Sequence, residues 1–221
     1  MAQQIIVQLQ NIDDAVFSML NGCHCAYADS AMWLMTGKWA YVLMALAFAY
    51  LSFRKGWKFG ILMLLAVAIT ITLSDQIASS IIKPLVCRLR PSHTSYLNAY
   101  VLNGYRGGMY GFVSSHAANS FGVAMLIILL FRNRAVAVSM LVWAAIVSYS
   151  RIYLGVHYPG DIICGAAIGM AMAALVAKML RYYSQKNHFA IQFSTRDSKI
   201  MGFSVLTNIS VILIVAIFYS V

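Results

Sequence analysis

Residues 60–80 read GILMLLAVAITITLSDQIASS, and this run decides the class of fold. A helix crosses a bilayer core when about 20 consecutive residues are predominantly apolar. Working outward, residues 36–53, 115–131, 135–150, 160–181 and 200–220 approach the same standard. The third and fourth spans in chain order are joined only by Arg132-Asn133-Arg134, which predicts a helical hairpin. The expectation is an all-α, polytopic membrane bundle of about six transmembrane helices.

Composition agrees. The chain has 221 residues, 62% hydrophobic and 10% charged, with mean hydropathy +0.77. A soluble domain carries roughly a quarter charged residues, so much of this surface faces lipid. The N-terminal stretch differs: Ile5, Ile6, Leu9, Ile12, Val16, Phe17 and Leu20 recur mostly every three or four residues among Gln, Asn and Asp. That pattern is an amphipathic helix, either lying in the membrane interface or packed on the bundle. The expected division is therefore an amphipathic segment over 1–30 and a six-helix domain over 31–221. The N-terminus has no basic n-region or long apolar h-region, which speaks against a cleaved signal peptide.

Sixteen Lys and Arg against six Asp, with no Glu, give a formal charge of +10. Nucleic-acid binding would need a basic face with exposed stacking aromatics. Here the aromatics lie in or beside apolar spans, so no nucleic-acid partner is expected. One set of loops carries ten basic residues: Arg54, Lys55, Lys58, Arg132, Arg134, Lys178, Arg181, Lys186, Arg196 and Lys199. The other carries six: Lys38, Lys83, Arg88, Arg90, Arg106 and Arg151. The richer set is expected on the cytoplasmic side, which turns both termini and the long 81–114 loop outward. Cys23-His24-Cys25 lacks a second pair of ligands, and Cys87 and Cys164 stand apart, so free thiols are expected.

All three prolines, Pro84, Pro91 and Pro159, fall on the outward side. Irregular backbone at membrane depth is tolerated where it is buried in protein or lines a wet cavity, so this face is the candidate site. Three segments converge there: Lys83 to Pro91, Val113-Ser114-Ser115-His116, and Ser150-Arg151 to Asp161. Lys83, Arg90 and Arg151 sit at helix ends and need an anion. Arginine matches phosphate oxygens in a bidentate way, and lysine adds a point charge. Ser114 and Ser115 precede an apolar helix whose first free N–H groups can also hold an anion.

Two histidines complete the set. Asp161, four residues beyond His157, can accept one ring N–H, fix the tautomer and leave the other nitrogen free to attack. His116, on another helix, can protonate the departing oxygen. Most of the acceleration in phosphoryl transfer comes from positioning and charge stabilisation, which the cations supply without a metal or other cofactor. Asp75, in the second span with Ser79 one turn on, is expected to make a helix-packing hydrogen bond, with a substrate or cation-pairing role as the alternative. Arg88 and Arg106 flank the site, where they could meet a second phosphate or a lipid headgroup. The methionines and the scattered Tyr and Trp are expected to face lipid or the interface.

These segments resemble the three motifs of the type 2 phosphatidic acid phosphatase superfamily, lipid phosphatases related in fold to vanadium haloperoxidases. The family pattern is Lys, six residues, Arg-Pro; then Pro-Ser-Gly-His; then Ser-Arg, five residues, His, three residues, Asp. The first motif matches at Lys83, Arg90 and Pro91, and the third at Ser150, Arg151, His157 and Asp161. The second departs, with Val113 for Pro and Ser115 for Gly. The likeness covers residues 36–181. It implies that Lys83, Arg90, Ser114, Ser115 and Arg151 bind phosphate, that His157 attacks phosphorus, that Asp161 orients it, and that His116 protonates the leaving group.

The expected activity is removal of phosphate from a lipid in the inner membrane, on its non-cytoplasmic side, through a phosphohistidine. The first expectation for the substrate is undecaprenyl diphosphate. Lipid A 1-phosphate and phosphatidylglycerol phosphate are rivals, and a lipid phosphotransferase using the same intermediate is the alternative class.

Overall fold

The computed structural model describes residues 1–219. The chain is mostly helical, with a long irregular stretch between Cys87 and Ser114, and the only β-pairing among the described residues is an isolated bridge between Leu89 and Tyr110. The helices are α1 (Ala2–Asn21), α2 (Ala26–Thr36), α3 (Val42–Phe53), α4 (Trp57–Asp75), α5 (Lys83–Val86), α6 (Ser115–Phe131), α7 (Arg134–Tyr153), α8 (Pro159–Lys186) and α9 (Thr195–Phe218).

Among the described residues, four helical runs are long and apolar enough to cross a membrane: Trp57–Val86, Arg134–Tyr153, Pro159–Lys186 and Thr195–Phe218. A fifth crossing exists if α2 and the Lys38–Phe53 segment, bent by 66°, count as one span. The expected count of six is thus not reproduced by length. The first span, read as continuous over 36–53, is broken, and α6 is an apolar helix of only 17 residues.

The break is stable because side chains satisfy its backbone. At membrane depth a freed carbonyl or amide must find a partner within the protein. Trp143 Nε1 donates to the Ala40 carbonyl at 2.8 Å, Asn208 Nδ2 donates to the same oxygen at 2.9 Å, and Asn208 Oδ1 accepts from the Leu43 amide at 3.2 Å. Neither Trp143 nor Asn208 carries a pattern that would reveal this from sequence.

α6 is the central helix, packed between α4, α7 and α8. Its partner α8 approaches so closely that a Cβ on Gly169 would collide with the Ala118 carbonyl oxygen. The hairpin predicted between α6 and α7 is present: Arg132 takes a left-handed turn at φ 50°, and Asn133 Oδ1 accepts from the Ala135 and Val136 amides. The main core joins Phe48, Leu51, Leu126, Ile127, Trp143 and Val147 with Met35, Met44, Met63, Met140 and Met201. The expectation that methionines and Trp face lipid or the interface is corrected for these residues. A flexible thioether fills irregular gaps between helices, and the indole N–H has found a carbonyl.

α1 packs on the bundle through its second half. Its first half exposes Ile5, Ile6, Leu9 and Ile12, whereas Phe17 and Asn21 are buried. Asn21 anchors it, donating to the carbonyls of Ile152 and Tyr153 at 3.1 and 2.9 Å and accepting from the Tyr100 amide at 2.8 Å.

Candidate active site

The three segments meet at one end of the bundle. α4 does not run regularly into Lys83: residues Gln76–Ile82 form a π-helical stretch before the short α5. Such stretches are rare, frequently mark functional sites, and turn the succeeding residues toward a new face. Here Lys83 Nζ donates to Ser115 Oγ at 2.7 Å, at the start of α6. Ser115 Oγ is in turn 2.8 Å from Ser79 Oγ, which donates to Asp75 Oδ1 at 3.4 Å. Asp75 is thus one end of a hydrogen-bonded chain that crosses from α4 to Ser115 of α6 and leads to Lys83.

Ser114 is fully buried, and its hydroxyl caps α6 by accepting the Ala117 amide at 3.3 Å. Its own amide donates to the Asp161 carbonyl at 3.0 Å, tying the second segment to the third. His116, in the first turn of α6, is half-buried, and Arg151, His157, Lys83 and Arg90 lie within electrostatic range of its ring.

His157 precedes α8, where Pro159 opens the helix and Asp161 closes a capping box on Tyr158. Asp161 Oδ2 accepts the Tyr158 amide at 3.1 Å and lies 3.2 Å from His157 Nδ1. On the other side of the ring, Arg90 Nη1 is 2.9 Å from Nε2 and 3.0 Å from the Val156 carbonyl. A guanidinium only donates, so Nε2 carries the lone pair and Nδ1 carries the proton. Burial first, then the charges of Arg90, Arg151 and Lys83, holds His157 well below the ordinary imidazole range. Gly111 fits between these groups: a Cβ there would stand 3.0 Å from Asp161 Oδ2 and 3.2 Å from Arg90 Cγ.

Arg151 is buried at the end of α7. Its Nη1 donates to Thr36 Oγ1 and its Nη2 to Tyr105 OH at 3.4 Å. The Nε atoms of Arg90 and Arg151 are buried without a partner among the described residues. Buried donors left in that state are costly unless an anion accepts them. Among the described residues, no three His, Cys, Asp or Glu side chains group as a metal site.

Arg88, offered by the sequence to a second phosphate, has its Nη1 already paired with Asp13 at 2.7 Å and with Asp161 at 3.2 Å, while its Nη2 is buried without a partner among the described residues. Both carboxylates meet the guanidinium through that one nitrogen. The four cysteines are free, as expected, and His24 bonds Asp29 Oδ1 and the Asn21 carbonyl, both at 2.8 Å. Sequence reasoning missed Asp13, Thr36 and Tyr105. The one available hint was Asp13 itself, an acid on an amphipathic helix in a chain with only six acids.

A helical membrane bundle that gathers Lys83, Arg90 and Arg151 around a carboxylate-held imidazole defines a membrane phosphatase. Residues 59–185 match the PAP2 superfamily, and the chain belongs to that family. It is 44% identical over 165 residues to a lipid A 4'-phosphatase of Bacteroides thetaiotaomicron, covering 73% of each chain. It is 37% identical to a lipid A 4'-phosphatase of Porphyromonas gingivalis, covering 77% of this chain and 74% of that one. The fold is shared with the crystal structure of a PAP2-type phosphatidylglycerolphosphate phosphatase from Bacillus subtilis, with TM-score 0.61, 24% identity and coverage of 79% and 87%.

Proposed function

We propose that the protein removes a phosphate from lipid A, at the 4' position, through a phosphohistidine on His157. The observation that carries the chemistry is the placement of His157, with Asp161 on Nδ1 and a guanidinium on the Nε2 lone pair. Lys83, Arg90 and Arg151 bind the phosphoryl oxygens, with Arg90 moving its donor from the ring to the incoming phosphate. The Ser115 hydroxyl and the first amides of α6 add donors, and Ser114 fixes that turn by capping it. Nε2 attacks phosphorus, His116 protonates the departing sugar oxygen, and water then hydrolyses the phosphohistidine. The developing charge is met by cations in a water-poor site, where such contacts are worth most.

The substrate assignment moves from undecaprenyl diphosphate, the first expectation from sequence, to lipid A. The relatives at 44% and 37% identity both bear the lipid A 4'-phosphatase name, which also favours the 4' over the 1 position. The distribution of basic residues among the loops supports an inner-membrane protein whose site faces the non-cytoplasmic side.

The test is phosphate release from lipid A, phosphatidylglycerol phosphate and undecaprenyl diphosphate by purified protein with chelator present. The wild type and His157→Ala are compared, in labelled water. Preferred release from the 4' position of lipid A, label in the phosphate and an inactive variant are expected. A variant that keeps the rate, or a strict need for a divalent ion, defeats the mechanism. Phosphate passed to another lipid without label makes the protein a transferase.

A further inference from the structure

Asp13 lies on α1, outside every segment that marks the site in the sequence, yet its carboxylate meets two parts of that site. Oδ1 accepts the Gly160 amide in the first turn of α8 at 2.7 Å, and Oδ2 pairs with Arg88 Nη1 at 2.7 Å. The same nitrogen of Arg88 is 3.2 Å from Asp161 Oδ1. The guanidinium lies 3.8 Å above the Tyr158 ring, and Tyr158 rests on the fully buried Phe17 of α1, ring centroids 5.6 Å apart. The side chains of Asp13 and Arg88 are 12% and 21% exposed, so their charges are only weakly shared with water.

Both oxygens of Asp161 are therefore assigned. Oδ2 serves Tyr158 N–H and His157 Nδ1–H, and Oδ1 serves Arg88. Rotation of the carboxylate would break the Arg88 contact, and Arg88 cannot follow because Asp13 and the Tyr158 ring hold it. We propose that Asp13 and Arg88 are positioning residues for the reaction, and that α1 acts through them to fix the carboxylate that orients His157. The inference rests on the reading of His157 as the nucleophile. It gives α1 a role in catalysis beyond contact with the membrane surface.

The groups acting on this region come from every neighbouring element. Lys83 arrives from the end of the α4–α5 run, Arg90 from the loop, Arg151 from α7 and His116 from α6. Asp14 beside Asp13 accepts the Tyr96 hydroxyl at 2.9 Å, and Cys164 lies three residues beyond Asp161 on α8. Against that fixed set, the two substitutions act with opposite sign. Arg88→Met removes a cation, so protonated His157 is less opposed and the acid limb of the pH–rate profile moves to higher pH. Asp13→Asn removes an anion, leaves Arg88 less neutralised, and moves that limb to lower pH.

The experiment measures kcat, KM and the pH–rate profile for phosphate release from lipid A by full-length wild type, Asp13→Asn, Asp13→Glu, Arg88→Met and His157→Ala, with thermal stability in detergent recorded for each. The expected result is a kcat reduced about 10–100-fold in Asp13→Asn and Arg88→Met, as for misplacement of reacting groups, with KM little changed. Opposite shifts of the acid limb and partial recovery in Asp13→Glu complete the expected pattern. If His157→Ala is inactive while Asp13→Asn keeps the wild-type kcat and profile, this inference falls alone. If losses follow lowered thermal stability with no shift of either limb, α1 is merely structural and the inference also falls. An active His157→Ala removes both this inference and the mechanism it rests on.

Discussion

The Nη1 nitrogen of Arg90 stands 2.9 Å from Nε2 of His157, so the lone pair assigned to attack is held by the same guanidinium assigned to the phosphate. One side chain thus selects the histidine tautomer and, in the proposed function, supplies charge to the phosphate cradle. Because Arg90 Nη1 also reaches the Val156 carbonyl, its position is tied to the loop that carries His157.

Arg90→Lys keeps the charge and loses the fork. A lysine offers one compact ammonium and cannot present two parallel donors to phosphate. The expected outcome is a kcat/KM lower by about 10²–10³-fold, the scale of losing one preorganised donor to developing charge. Steady-state phosphate release from lipid A measures it. A lysine variant close to wild type would show that Arg90 serves the fold rather than the phosphate.

Lys83, Arg90, Arg151, His157 and Asp161 were legible in the sequence because each occupies a fixed offset within a short segment, and fixed offsets survive folding. The ends of α6 were legible too, since Ser114 at one end and the Arg132–Arg134 turn at the other bound an uninterrupted apolar run. The kink between α2 and α3 was not, because it is sustained by Trp143 and Asn208, each more than a hundred residues away. Asp13 and Thr36 escaped for the same reason: their partners Arg88 and Arg151 are brought to them only by tertiary packing. The π-helical stretch before Lys83 left no mark that hydrophobic periodicity could register.

With His157 as the proposed nucleophile, its protonation is expected to set the acid side of the pH dependence. Burial and the charges of Arg90, Arg151 and Lys83 disfavour the imidazolium and hold this ring well below its ordinary range. A nucleophile must be neutral, so protonation removes activity only when pH falls below that depressed value. The acid limb of kcat/KM is expected well below about 6.5, the usual histidine value. A limb centred in the ordinary histidine range would assign it to another group.

The α6–α8 contact is expected to tolerate no side chain at Gly169. A Cβ there meets the Ala118 carbonyl, which belongs to the backbone of α6 and cannot turn aside. Overpacking of this kind typically costs about 1–3 kcal/mol. Gly169→Val should therefore lower Tm in detergent and, because Ser114 and His116 move with the displaced helix, reduce activity as well. A Val variant with unchanged Tm would show that the two helices can separate without loss.

His116 can be tested by changing the leaving group. In its assigned role it gives a proton to the departing oxygen, and the need for that proton depends on how basic the oxygen is. A sugar alkoxide leaves poorly, so His116→Ala should cost about 10²–10⁴-fold on lipid A, the usual range for a lost general acid. A nitrophenyl phosphate expels a stabilised phenolate that scarcely requires protonation, so the same variant should lose far less. His157→Ala should abolish turnover of both, because neither can proceed without the nucleophile. Equal losses on the two substrates for His116→Ala would place His116 among the groups that merely hold phosphate. The differential loss separates proton donation from charge, since the remaining cations, Lys83, Arg90 and Arg151, are the same in both reactions.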